Sequence, residues 1–151
     1  MIIGIDPGAV SGALALIDDN LDFIEVIDMP VELNGKKQEV NAVELSKILT
    51  VWKSHGKLTV YLESVHSMPG QGVSGVFGFG DSFGCIRGVC GALMIPLVRV
   101  TPQMWKKRAG LIGKEKDAAR SKAQQLYPEA PLGRKRDCGR ADSLLIARFG
   151  G

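Results

Sequence analysis

Residues 2–18 read IIGIDPGAVSGALALID. An apolar run delivers one carboxylate, Asp6, to a Pro7-Gly8 turn, and a second apolar run over 12–18 leads back from it. The length and β-branched content of 2–6 and 12–18 predict two strands joined by a tight connection. A buried strand tolerates an aspartate at its end only where that carboxylate has a partner or a task. Residues 22–28 (DFIEVID), set off by the turn cluster at 18–20, predict a third strand and hence an antiparallel meander.

Beyond the meander the pattern changes. Residues 30–40 are polar and read as loop. Residues 41–56 place Val43, Leu45, Ile48, Leu49, Val51 and Trp52 at helical spacing, with Asn41 as N-cap and Gly56 as stop. A fourth strand follows at 57–63, ending in Glu63, and then a loop at 64–75. Residues 76–94 are apolar, glycine-rich and long enough to predict a helix. A fifth strand at 96–100 precedes a helix at 101–110 opened by Thr101 and Pro102. Helices at 114–128 and 140–150 close the chain. The order β-β-β-α-β-α-β-α-α predicts a single α/β domain over 1–151. Its sheet would be mixed and five-stranded, three strands antiparallel and the rest added by parallel crossovers.

Composition narrows the function. Net charge is only +3, yet residues 1–64 hold ten acids against five bases, and 99–136 hold eleven bases against three acids. A basic C-terminal half is compatible with a polyanionic partner and equally with a solvated helix face. No run of about 18 apolar residues predicts a membrane span. The first residues lack the pattern of a secretory signal, so the expected compartment is the cytoplasm. The three cysteines, Cys85, Cys90 and Cys138, have no metal-ligand spacing and read as free thiols.

Asp6 and Glu63 both close strands. If those strands are parallel neighbours, the two carboxylates meet at the sheet edge where α/β folds place their sites. Asp142 lies in the first turn of the last helix and can join them. Taken singly, each has an ordinary explanation as a turn, strand-end or helix-start residue. Three carboxylates without interleaved Lys or Arg repel one another, and divalent cations relieve that repulsion. Oxygen-only ligands favour Mg²⁺ or Mn²⁺, and two such ions activate water in phosphodiester cleavage.

These segments, together with VYLESVHSMPGQG, the stretch 100–128 and the terminal GRADSLLIA, resemble the RuvC-type Holliday junction resolvases, most of all their short phage- or prophage-like members. The resemblance implies a ribonuclease-H-like fold, a homodimer, and symmetric nicking of four-way DNA junctions with two Mg²⁺ ions per site, Mn²⁺ substituting. By position, Asp6, Glu63 and Asp142 match the family's metal-site carboxylates. The family usually carries another ligand one helical turn before the last aspartate. Here that position is Gly139, which leaves Asp137 as the candidate fourth carboxylate, provided that the helix begins after it. His66 stands where the family often has an aromatic residue that contacts junction bases. Lys116 matches a basic position near the scissile phosphate, and Lys106, Lys107 and Lys114 are candidate backbone contacts. Gly84, Gly88 and Gly91 share one helix face, which by resemblance is the dimer interface and otherwise packs the helix on its own sheet. The alternative functions are cleavage of flaps, forks or RNA hybrids, and junction binding with weak catalysis. An actin-like ATPase fragment shares the first hairpin, but 151 residues are too few for two lobes.

Overall fold

The computed structural model describes residues 1–64 and 69–151. The main sheet has five strands: β1 (Ile2–Asp6), β2 (Ala13–Ile17), β3 (Phe23–Asp28), β6 (Thr59–Glu63) and β7 (Leu97–Val100). Their order across the sheet is β3-β2-β1-β6-β7. β2 lies antiparallel to β1 and β3, whereas β6 lies parallel to β1 and β7. The expected mixed sheet is therefore present, with the meander on one side and the crossovers on the other.

Period-two alternation splits the side chains of this sheet between two apolar layers. Ile3, Ile5, Leu14, Leu16, Val60 and Leu62 pack beneath α1 (Ala42–Ser54) and α2 (Val73–Ala92). Ala15, Ile17 and Val100 face the opposite layer, filled by Trp105, Tyr127, Leu144 and Leu145. That layer belongs to α3 (Pro102–Arg108), α4 (Ala118–Leu126) and α5 (Cys138–Phe149). Asn41 caps α1 by accepting from the Glu44 N–H, and Thr101 caps α3 by accepting from the Met104 N–H.

Two expectations needed correction. Residues 30–40 are not loop: β4 (Val31–Asn34) and β5 (Lys37–Val40) form a separate two-stranded hairpin. Asn34 pairs with Lys37, so Gly35 and Lys36 make a two-residue turn, with Gly35 at φ +63. The Asn34-Gly35 dipeptide is a hairpin signal that the polar composition obscured. The helix expected from 114 begins only at Ala118, because Gly113 at φ +73 and the turn from Glu115 to Ala118 delay it.

The last helix sits unusually close to the sheet. A Cβ on Gly4 would overlap the Ser143 carbonyl oxygen, and one on Gly139 would overlap the Ser11 carbonyl oxygen. Glycine at these two positions lets α5 approach β1 and the turn that follows it. Arg140 then ties the start of α5 to the end of β3 through a bidentate pair with Asp28, at 2.7 and 3.0 Å.

Candidate metal and nucleic-acid site

The β1–β6 register runs from Ile2↔Thr59 to Ile5↔Leu62. One step further brings Asp6 and Glu63 side by side at the C-terminal edge of two parallel strands. Alternation puts both on the face that carries Gly4 and Tyr61, which is the face covered by α5. α5 begins at Cys138, two residues earlier than expected, so Asp142 lies in its second turn, where the charges of Asp6 and Glu63 reach it.

Asp6 and Asp142 each feel the charge of Glu63, and Asp142 feels that of Asp6. Burial, and then the charge of Glu63, push Asp6 up to about 7. Burial, and then Asp6 and Glu63, push Asp142 up to about 7. Burial raises Glu63 as well. Each shift means that the ionised form lacks solvation and, for the two aspartates, meets like charge. No ion pair answers any of the three among the described residues. Among the described residues, the cation that lowers all three is Lys106, in the last turn of α3.

Two further contacts orient the edge. The Gly8 N–H donates to Asp6 Oδ1 at 3.3 Å. The indole Nε1 of fully buried Trp105 donates to Glu63 Oε2 at 2.6 Å. Trp105 was absent from the sequence-based candidates. Its signal was available in principle, since a buried tryptophan N–H nearly always finds a polar partner.

Asp137 stands elsewhere. The helix does begin after it, but its carboxylate turns back to Arg134, accepting from the backbone N–H at 2.8 Å and from Nη2 at 2.7 Å. Arg140 lies 3.8 Å away, and the Arg134 hydrogen bonds hold Asp137 below the usual carboxylate range. It does not figure among the charges that perturb Asp6, Glu63 or Asp142. Lys107 is exposed on α3, and Lys114 and Lys116 are exposed on the turn between α3 and α4. His66 lies outside the described residues.

Among the described residues, no three His, Cys, Asp or Glu side chains form a ready-made cage for one metal ion. The donor chemistry nevertheless fits Mg²⁺. That ion keeps several waters and takes one or two carboxylates plus substrate phosphates in place of a closed protein shell. All three donors here are carboxylate oxygens with no nitrogen or sulfur among them.

No family model matches the chain, and no curated protein matches it. Solved structures do. A structure of T. thermophilus RuvC in complex with a Holliday junction substrate superposes with TM-score 0.70 at 15% identity, covering 97% of this chain and 88% of that one. A second Thermus thermophilus RuvC structure gives TM-score 0.58 at 16% identity, covering 99% and 96%. The chain has the RuvC fold. That fold is ribonuclease-H-like, as the family resemblance implied. No helix among the described residues is long and apolar enough to cross a membrane.

Proposed function

We propose that the 151 residues form one nuclease domain that resolves four-way DNA junctions by paired nicks. The observation that carries this reading is the convergence of Asp6, Glu63 and Asp142 on one sheet edge, in a fold shared with a protein solved on a Holliday junction. Asp6, Glu63 and Asp142 would hold the divalent ions. Bound there, Mg²⁺ or Mn²⁺ supplies a Lewis acid for the scissile phosphate and lowers the pKa of water.

The protein's own groups do the rest. Trp105 fixes one oxygen of Glu63, which leaves the other free to face the edge. The Gly8 N–H turns the Asp6 carboxylate. Lys106 offsets negative charge at the edge, and Lys107, Lys114 and Lys116 are exposed to meet phosphates outside it. His66 keeps its proposed role at junction bases.

A pair of nicks on opposite strands needs two sites, and α2 offers the surface for a homodimer. Gly80, Gly84, Gly88 and Gly91 face outward with open space where a Cβ would stand. Of the two readings for this glycine stripe, packing on its own sheet is therefore set aside. Asp81 and Arg87 flank Gly84 at three residues either side and are both exposed. Two antiparallel copies of α2 crossing at Gly84 bring Asp81 of each against Arg87 of the other, the self-complementarity that a twofold interface requires.

The test is cleavage of a synthetic four-way junction in Mg²⁺, beside flaps, forks, RNA hybrids and linear duplex. We expect paired nicks in the junction, lost at least 100-fold in Asp6→Asn, Glu63→Gln and Asp142→Asn. Nicking that survives Asp6→Asn would reject the assignment. A binding-only protein is the second reading, favoured by Gly139 at a position where relatives ligate. It predicts a junction gel shift without product in either Mg²⁺ or Mn²⁺.

A further inference from the structure

A groove of about 630 Å³ opens beside the carboxylate edge. Its walls are the turn after β1, the tip of the β4–β5 hairpin and the first half of α2. The two-residue turn at Gly35-Lys36 lifts Lys36 and Lys37 to its rim. The lining contains both lysines and no carboxylate, although this half of the chain carries an excess of acids. On the α2 wall stands half-buried Phe79, its ring stacked on Phe83, and Leu33, 70% exposed, lines the hairpin side. The Lys37 ammonium already rests 5.3 Å from the ring centroid of Phe77, which is itself 72% exposed. Gln38 and Ser74 add polar groups.

Two features say what fits. Ammonium groups beside exposed aromatic and aliphatic planes are the composition that binds single strands, charge for phosphates and flat apolar surface for bases. A continuous duplex keeps its bases stacked inside and would leave Phe79 and Leu33 facing water. The second feature is continuity. Gly8 belongs to the groove, and its N–H donates to Asp6 Oδ1, so a strand lying there passes next to Asp6.

We infer that this groove receives unpaired nucleotides of the strand being cut, with Lys36 and Lys37 on its phosphates and Phe79 stacked on a base. The inference rests on the nuclease reading of the Asp6–Glu63–Asp142 edge and adds the entry path for the strand. It also assigns a task to the β4–β5 hairpin, which forms its own sheet and adds nothing to the main one.

The experiment uses the Asp6→Asn background, so that DNA stays whole, with junctions that carry 2-aminopurine next to the branch point. Binding should change the probe's fluorescence. Phe79→Leu should abolish that change while affinity falls less than threefold. The exposed pair Lys36→Ala/Lys37→Ala should weaken binding to junctions and to a single-stranded oligonucleotide about tenfold, and lower the salt slope by about 2, near one per lost phosphate contact. Binding to linear duplex should not move. If both groove variants match the parent while the unsubstituted chain cuts junctions, the groove assignment is wrong and the nuclease reading stands. If the unsubstituted chain binds single strands in this lysine-dependent way but cuts no junction, the groove stands and the junction reading falls. A chain that binds neither DNA refutes both.

Discussion

Trp105 and Asp137 show how neighbouring contacts divide the acidic residues into two kinds. Glu63 is half-buried and raised, and among the described residues the indole of Trp105 donates to one of its oxygens. Trp105→Phe keeps an aromatic ring in the core and removes that donor, at the cost of a small cavity where the second ring stood. A hydrogen bond to a charged group is worth roughly 1.5–3 kcal/mol. We expect a weaker response to Mg²⁺, seen as a several-fold higher metal concentration at half-maximal cleavage, with the fold intact by circular dichroism. Asp137 is opposite in kind. It is 2% exposed, and three groups of Arg134 satisfy it. That is a helix-entry lock, with nothing left to offer a metal. Asp137→Asn should lower stability by roughly 1–3 kcal/mol, because a buried acceptor loses its charge-assisted donors. Cleavage well below the melting temperature should stay within about threefold of the parent. A loss as deep as that of Asp6→Asn would instead put Asp137 in the metal shell.

At the level of elements, α2 makes the sharpest claim. Asp81 and Arg87 sit symmetrically about Gly84 on an outward face where no described residue packs against the glycines. Arg87→Asp should set like charges across the twofold axis twice and shift a dimer towards monomer in sedimentation. Combining it with Asp81→Arg should restore the dimer, an outcome that a merely structural role for either residue would not give. Most elements were legible in the sequence because their periodicity is strong. The strand at 2–6, the helix capped by Asn41 and the strand ending at Glu63 carry clear apolar spacing and end signals. The β4–β5 hairpin was not legible from polarity, because its exposed strands alternate weakly and only Asn34-Gly35 marks the turn. Asp6, Glu63 and Asp142 could be read as a set because strand ends and a helix start fix their positions. The bond from Trp105 to Glu63 spans 42 residues of chain, and no local pattern encodes it.

For the whole molecule, the acidic edge sets stability against function. Burial and like charge push Asp6 and Asp142 up to about 7 in the folded chain, against an ordinary value of 3.8. Between those limits the folded chain holds more protons than the unfolded chain, so its stability falls as pH rises. The carboxylates lowered by arginines, Asp28, Asp117 and Asp137, act in the other direction but only as pH drops towards and below 3.8. From pH 5 to pH 8 the edge is therefore the dominant resolved contribution, and the metal-free protein should melt at a lower temperature at pH 8 than at pH 5.5. Asp6→Asn removes one of the repelling charges and should raise the metal-free melting temperature at pH 8 by several degrees, at about 2–4 °C per kcal/mol for a chain of this size. Mg²⁺ binds the ionised edge and must displace its protons, so it should stabilise the parent strongly at pH 8 and weakly at pH 5.5. Differential scanning calorimetry at both pH values, with and without excess MgCl₂, reads all three effects. A melting temperature that rises from pH 5.5 to 8 without metal, and that Mg²⁺ moves equally at both, would mean that these carboxylates are solvated apart from one another and do not form one site.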